Sequence, residues 1–338
     1  MQKAIFHNRR AIQIENDSIR VTTTEEGGHI AEILNKTTGV NPLWIPPWLS
    51  IEASAWSPVD TPEYGEDADA QLLAAIMGHN LCLDLFGPPS ADEQAAGVGT
   101  HGEAGIVPWD FESSPAGLMT RCVMPLSQLA FQRVIALDGR TLRIRETVEN
   151  LAAYDRPIAW TQHVTLGPPF LERGQTEFCI NTSKSCPTAN DDGQETGLEA
   201  DQAGPALREI LSTAPSSGGY RAFLMDEDHA DSYFIAWSPS FETALAYSWK
   251  HSDFPWIGIW DENRLRQHKP WNGRVLARGL EFGVSPFPET RKEMIERGEL
   301  FNTPVYRWLP AKGKLTAEFH AATIEAKHMP ASLAAFDA

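Results

Sequence analysis

Apolar and polar residues alternate with a period of two through most of this 338-residue chain, and no other feature limits its fold as much. In 141–150, Leu142, Ile144 and Val148 share one face, with Arg143, Arg145 and Glu149 on the other; Glu146 breaks the apolar face. In 314–321, Leu315, Ala317, Phe319 and Ala321 alternate with Lys314, Thr316, Glu318 and His320. Successive side chains of a strand point to opposite faces, so both segments read as half-buried antiparallel strands. Asp138-Gly139 separates 129–137 from 141–150, and this dipeptide predicts a hairpin because the tight turn needs positive φ. Gly27-Gly28 separates 19–24 from 29–34 in the same way. Further strands are expected over 118–125, 158–166, 221–225, 233–237, 243–249, 256–260 and 275–283. Helical patterns are confined to 67–77 and 290–297. The stretches 58–66, 88–99 and 187–219 are rich in turn formers and read as surface loops, the last long enough for a lid. The expectation is an all-β fold, a large antiparallel sandwich with few short helices, with 1–338 forming a single domain. The 24 prolines and 25 glycines exclude a coiled coil.

Charge narrows the partners. Lys plus Arg number 28 and Asp plus Glu 45, a net charge of −17. Such a chain lacks the clustered cations that grip nucleic acid or an anionic lipid surface. No apolar run reaches the roughly 18 residues of a membrane span. Residues 1–10 lack the apolar stretch of a signal peptide, so the expected location is the cytoplasm. Cys82, Cys122, Cys179 and Cys186 have no C-x-x-C spacing and read as reduced thiols. Gly97–Gly102 matches G-x-G-x-x-G, but a polar loop precedes it and Pro108 interrupts the segment after it, so no nicotinamide or flavin site is expected. Asp226-Glu227-Asp228-His229 reads as a solvated turn rather than a metal site.

Other segments carry chemistry. Phe86-Gly87-Pro88 is followed by His101-Gly102 and then Trp109. His163 sits in an apolar run, after Gln162 and before Gly167-Pro168-Pro169. Glu281 ends a strand pattern between Leu280 and Phe282. His163 could be a satisfied core histidine, and Glu281 could pair with Arg278 or a distant arginine. A desolvated carboxylate otherwise suits a general base.

In order and character these segments resemble the galactose mutarotase-like superfamily, which includes aldose 1-epimerases and hexose-phosphate epimerase relatives. The resemblance rests on Phe86-Gly87-Pro88, His101-Gly102 with Trp109, Gln162-His163 and Leu280-Glu281, and Gly27-Gly28-His29-Ile30-Ala31 looks like the family's first hairpin. It implies a β-supersandwich with an open cleft that binds sugar. It implies Glu281 as the base on the anomeric hydroxyl, His163 as the acid toward the ring oxygen, and His101 as a hydrogen-bonding group nearby. It implies no metal and no organic cofactor.

The segment 51–100 has no Lys or Arg, so the expected partner is a small carbohydrate without a phosphate. The family's substrate-binding aspartate is left open among Asp84, Asp226 and Asp253. The segment 249–260 is the expected cleft wall, with Lys250 supplying charge from a separate strand. Of the 11 tryptophans, Trp109, Trp249, Trp256 and Trp260 are expected to line the cleft, where flat rings stack on the C–H face of a sugar. The expected activity is carbohydrate epimerisation by Glu281 and His163, with His101, Trp109, Lys250, Asp253 and Trp260 contacting substrate. A non-catalytic sugar-binding protein, or a polysaccharide lyase or glycoside hydrolase on the same fold, is the alternative.

Overall fold

The alternating segments pair into two large antiparallel sheets in the computed structural model, which describes residues 1–186 and 215–336. An eleven-stranded sheet runs through Ile30–Asn35, His79–Asp84, Arg156–Leu166, Leu276–Gly283, Trp256–Asn263 and Ser217–Met225. An eight-stranded sheet runs through Ser232–Ser238, Thr243–Trp249, Lys314–Glu325, Thr141–Asn150, Leu129–Asp138 and Gly117–Met124. One hydrophobic cluster draws on both: Leu81, Trp160, Leu280 and Phe282 come from the first sheet, and Phe131, Ile144, Leu245 and Phe319 from the second. These are the apolar halves of the alternation, so the predicted β-sandwich is what forms.

Local chemistry explains the boundaries. Asp138 pairs with Thr141, so the hairpin loop is Gly139-Arg140, with Gly139 taking φ 54°. Gly27 and Gly28 both have positive φ, and a Cβ on Gly28 would lie 2.4 Å from the Trp109 ring. That turn therefore needs glycine for its φ and for its closeness to tryptophan. The expected helix over 67–77 shortens to Ala70–Ala75. The helix Arg291–Arg297 is closed at its start by a reciprocal cap, Thr290 with Glu293. The same signature, Ser90 with Glu93, starts a short helix Ala91–Ala95 inside a stretch expected to be loop. Of the expected loop over 187–219, positions 187–214 lie outside the described residues, and Ser217 already begins a strand. No helix among the described residues is long and apolar enough to cross a membrane.

Glu146, which breaks its strand's apolar face, is fully buried against Arg133 at 2.7 Å. Its second oxygen accepts from Gln162 Nε2 at 2.6 Å and from Trp160 Nε1 at 3.2 Å. The Gln162 oxygen can only accept, so His79 Nε2, 2.8 Å away, carries a hydrogen. His79 Nδ1 then accepts from the Tyr247 hydroxyl at 3.2 Å. This polar chain links the two sheets across the apolar interior. Removing one member of a buried ion pair costs about 3–5 kcal/mol, because the other charge is left uncompensated. Glu146→Leu is therefore expected to lose about that much in urea denaturation. Arg133→Met combined with Glu146→Leu should recover most of it; a double variant no more stable than the single would refute a paired charge.

Burial holds His29 and His79 neutral, depressing each to about 3, with Arg9 and Arg133 respectively adding to the effect. The unfolded chain takes up these protons near the ordinary histidine value of about 6.5. Stability is thus complete above that value and is lost as pH falls toward about 3. Urea midpoints should decline over this window and decline less in His79→Gln; an identical decline in that variant would contradict the assignment.

Candidate active site

Strand register assembles the site. His163 on the Arg156–Leu166 strand lies directly opposite Glu281 on Leu276–Gly283, and Glu281 lies opposite Gly258 on Trp256–Asn263. The row extends to Asn80 on one side and Ala222 on the other. Directly opposed residues share a face. The next row on that face is Thr165, Gly279, Trp260 and Tyr220. The row on the other side is Cys82, Thr161, Gly283, Trp256 and Leu224. Leu280 and Phe282 take the opposite face and fill the core. The period-two pattern therefore divides these strands between packing and chemistry.

His163 Nε2 is 2.9 Å from Glu281 Oε1, and their side chains are 9% and 3% exposed. His163 Nδ1 is 3.0 Å from Thr165 Oγ1. Gly279 makes room for this arrangement, because a Cβ there would meet Glu281 Oε1 at 2.4 Å. His101 enters from a loop, with its ring centroid 5.3 Å from that of His163. His101 and Gly102 both take positive φ, and a Cβ on Gly102 would meet the Leu83 carbonyl at 2.2 Å. That is the physical reason for glycine after the histidine. His101 Nδ1 donates to the Phe86 carbonyl at 2.5 Å. Burial depresses its pKa to about 3, so the ring is neutral with Nε2 as an acceptor.

Together His101, His163, Thr165, Trp260 and Glu281 line a cavity of about 200 Å³. Trp44, Trp271, Asp69 and Arg266 also line it, beside Tyr220 and the apolar Leu72, Leu73 and Ile76. Trp44 and Trp271 stack at 6.4 Å, and Trp260 meets Trp271 edge to face at 5.9 Å. The Arg266 guanidinium lies 4.6 Å from the Trp271 ring centroid and 5.2 Å from that of Trp260. Burial pushes the Asp69 carboxyl above its usual range, while Arg266 pulls it back. Tyr220 donates its hydroxyl to the Pro286 carbonyl at 2.7 Å. Burial first, then the nearby Glu281, raises its pKa.

Other expected contacts are placed elsewhere. Trp109 is 5% exposed, packed in the core with its indole N–H on the Ala104 carbonyl. Trp249 stacks on Phe282 at 4.0 Å in the same core. Trp256 packs with Met294 and Val305 and donates to the Pro304 carbonyl. Lys250 pairs with Asp231 at 2.6 Å on the surface. Asp253 sits beside Arg307, and burial raises its carboxyl. Asp84 is held by Arg156 at 2.5 Å and Arg291 at 2.7 Å. Asp226 closes an exposed turn with His229. The segment beginning at His251 lines a larger groove of about 680 Å³ with Arg307 and Trp308. Size does not decide between the two: the smaller cavity holds the opposed imidazole and carboxylate, and it buries them.

The sequence matches no protein-family model and no curated protein. Solved structures do match its fold. A candidate aldose 1-epimerase from Klebsiella pneumoniae superposes with a TM-score of 0.68 at 13% identity, over 96% of this chain and 83% of that one. A galactose mutarotase-like protein from Clostridium acetobutylicum superposes at 0.65 and 13% identity, over 96% and 98% of the two chains. A galactose mutarotase-like protein from Lactobacillus casei gives 0.60 at 14% identity, over 93% and 100%. The chain has the galactose mutarotase-like fold.

The gap at Gly279 generates a test. In Gly279→Ala the new methyl meets the end of the Glu281 side chain, so the fold should survive at a cost of up to the roughly 3–5 kcal/mol of a parted buried pair. The Glu281 carboxylate should swing off His163. A crystal structure of the variant with the 2.9 Å contact intact would refute this.

Proposed function

We propose that the protein interconverts the anomers of an aldose, with Glu281 and His163 as the proton-transfer pair. The observation that carries this reading is the carboxylate and imidazole opposed at 2.9 Å in a cavity walled by tryptophan rings. Glu281 enters ionised and His163 enters as imidazolium. The carboxylate takes the anomeric hydroxyl proton while the C1–ring oxygen bond breaks and C1 becomes a carbonyl. His163 Nε2 gives its proton to the departing ring oxygen. Rotation about C1–C2 turns the other face of the carbonyl toward that oxygen. On closure His163 takes the proton back and Glu281 returns its own to O1, so neither residue is consumed. Neutral His101 accepts a hydrogen bond from a sugar hydroxyl through Nε2. Trp260 and Trp271 offer flat faces to its C–H groups. The fold neighbours named above support a sugar-processing class. The cytoplasm, the single-domain organisation and the unphosphorylated ligand belong to this proposal too.

Asp69 favours a second reading, because it is a second carboxylate lining the same cavity. A glycosidase uses two such groups at a defined separation. Polarimetry of freshly dissolved α-glucose, α-galactose and a wider aldose panel separates these readings. Wild type should speed equilibration, and Glu281→Gln should lower kcat by about 10²–10⁴-fold, the usual worth of a general base. Equilibration of every aldose at the buffer rate would sink the epimerase reading. Release of nitrophenol from nitrophenyl glycosides, lost in Asp69→Asn, would install the hydrolase in its place.

A further inference from the structure

The two cavity histidines have partners of different kinds. His101 Nδ1 faces a backbone carbonyl, which can only accept, so that nitrogen keeps its hydrogen. His163 Nδ1 faces the Thr165 hydroxyl, which can accept or donate. When the His163 ring is cationic, Nδ1–H donates to Thr165 and Nε2–H donates to Glu281. When the ring is neutral with its hydrogen on Nε2, the hydroxyl reverses and donates to Nδ1. When Nε2 has given its proton away, Nδ1–H again donates to the hydroxyl. The ring therefore keeps its Nδ1 partner in each protonation state, and no rotation is needed. The fold isolates this contact: Thr165 is 2% exposed, and its strand neighbour across the sheet is Gly279, which has no side chain to compete for the hydroxyl. Thr165 Oγ1 has no other hydrogen bond among the described residues.

We infer that Thr165 is the positioning residue that holds the His163 ring with Nε2 toward Glu281 during proton transfer. Its hydroxyl accepts Nδ1–H both in the cation and after Nε2 has given its proton away, so the ring keeps one orientation through the transfer. The part of this inference that concerns rate rests on the anomer-interconversion reading. The part that concerns the ring does not. The charged and titratable groups around His163 are Glu281, His101, Tyr220, Cys82, Asp69 and Arg266, with His79 on the neighbouring strand behind the sheet. Replacing Thr165 by valine keeps the side-chain shape and changes none of them.

The test is a ¹⁵N-imidazole NMR titration of wild type, Thr165→Val, Thr165→Ala and Thr165→Ser, run beside pH–rate profiles. Loss of the acceptor for Nδ1–H disfavours the cation, so the His163 titration should move to lower pH in the valine and alanine variants and return in the serine variant. The alkaline limb of the profile, which needs His163 protonated, should move with it. kcat should fall about ten- to a hundredfold with KM little changed, the scale of losing an orienting hydrogen bond behind a working histidine. The alanine variant serves if valine prevents folding. A His163 titration identical in wild type and both hydroxyl-deletion variants overturns the inference. Acetylation of Thr165 by p-nitrophenyl acetate would make it a nucleophile and overturns it as well. If wild type turns over no aldose but the titration still moves, the proposed function fails and the Thr165 assignment stands.

Discussion

The register between the strands Arg156–Leu166 and Leu276–Gly283 sets everything else at the site. It places His163 opposite Glu281, and it also places Gln162 opposite Phe282 and Val164 opposite Leu280. A slip of one residue would send the imidazole into the core and bring Gln162 or Val164 to the cavity. The register is held from both faces. On one side Leu280 and Phe282 are locked into the aromatic core; on the other Gly279 and Gly283 lie against the Glu281 and Thr161 side chains. Packing thus does for this pair what covalent spacing does for a motif within one loop.

The same strand carries a second polar load on its inner face. Gln162 joins Glu146 and His79 inside the sandwich while its neighbour His163 faces the cavity. Glu146, Gln162 and His79 each have a partner of the required polarity, and the low dielectric strengthens those bonds, while Arg133 Nη2 is left without one among the described residues. These bonds pin the strand from beneath. That pinning holds the strand on which His163 meets Glu281 within a single hydrogen bond.

Alternation made the sheets legible in the sequence, and the His-Gly pair, His163 and Glu281 stood out as polar residues in apolar or turn settings. The cavity wall was legible only in part, for a geometric reason. Trp256 and Trp260 lie four residues apart on one face of one strand, yet one is covered by Met294 and Val305 and the other borders the cavity. Alternation tells which face a residue takes and not what lies above it. Trp44, Trp271, Asp69 and Arg266 come from connections between strands, where no periodicity marks a direction. Their only local signal was the density of tryptophan. Trp109 misled for the converse reason: its neighbour in the motif, His101, does face the cavity, but a glycine turn distant in sequence gives the indole a berth in the core. Glu146 looked like a flaw in its strand because the arginine that completes it stands on the next strand.

At 13% identity the fold neighbours describe a scaffold, and a scaffold does not choose between moving protons and holding a sugar. The choice lies in how the polar atoms are partnered. A site built only to hold a ligand gains from fixed donors and acceptors, as His101 has from the Phe86 carbonyl. A site built to move a proton needs a group that can lose and regain one without leaving a buried nitrogen bare. His163, placed between a carboxylate and a hydroxyl, meets that condition, and the carboxylate beside its Nε2 is what distinguishes it from His101. The proposal of proton transfer therefore rests on the contact between His163 Nε2 and Glu281, and the hydroxyl behind the ring serves to hold that contact in place.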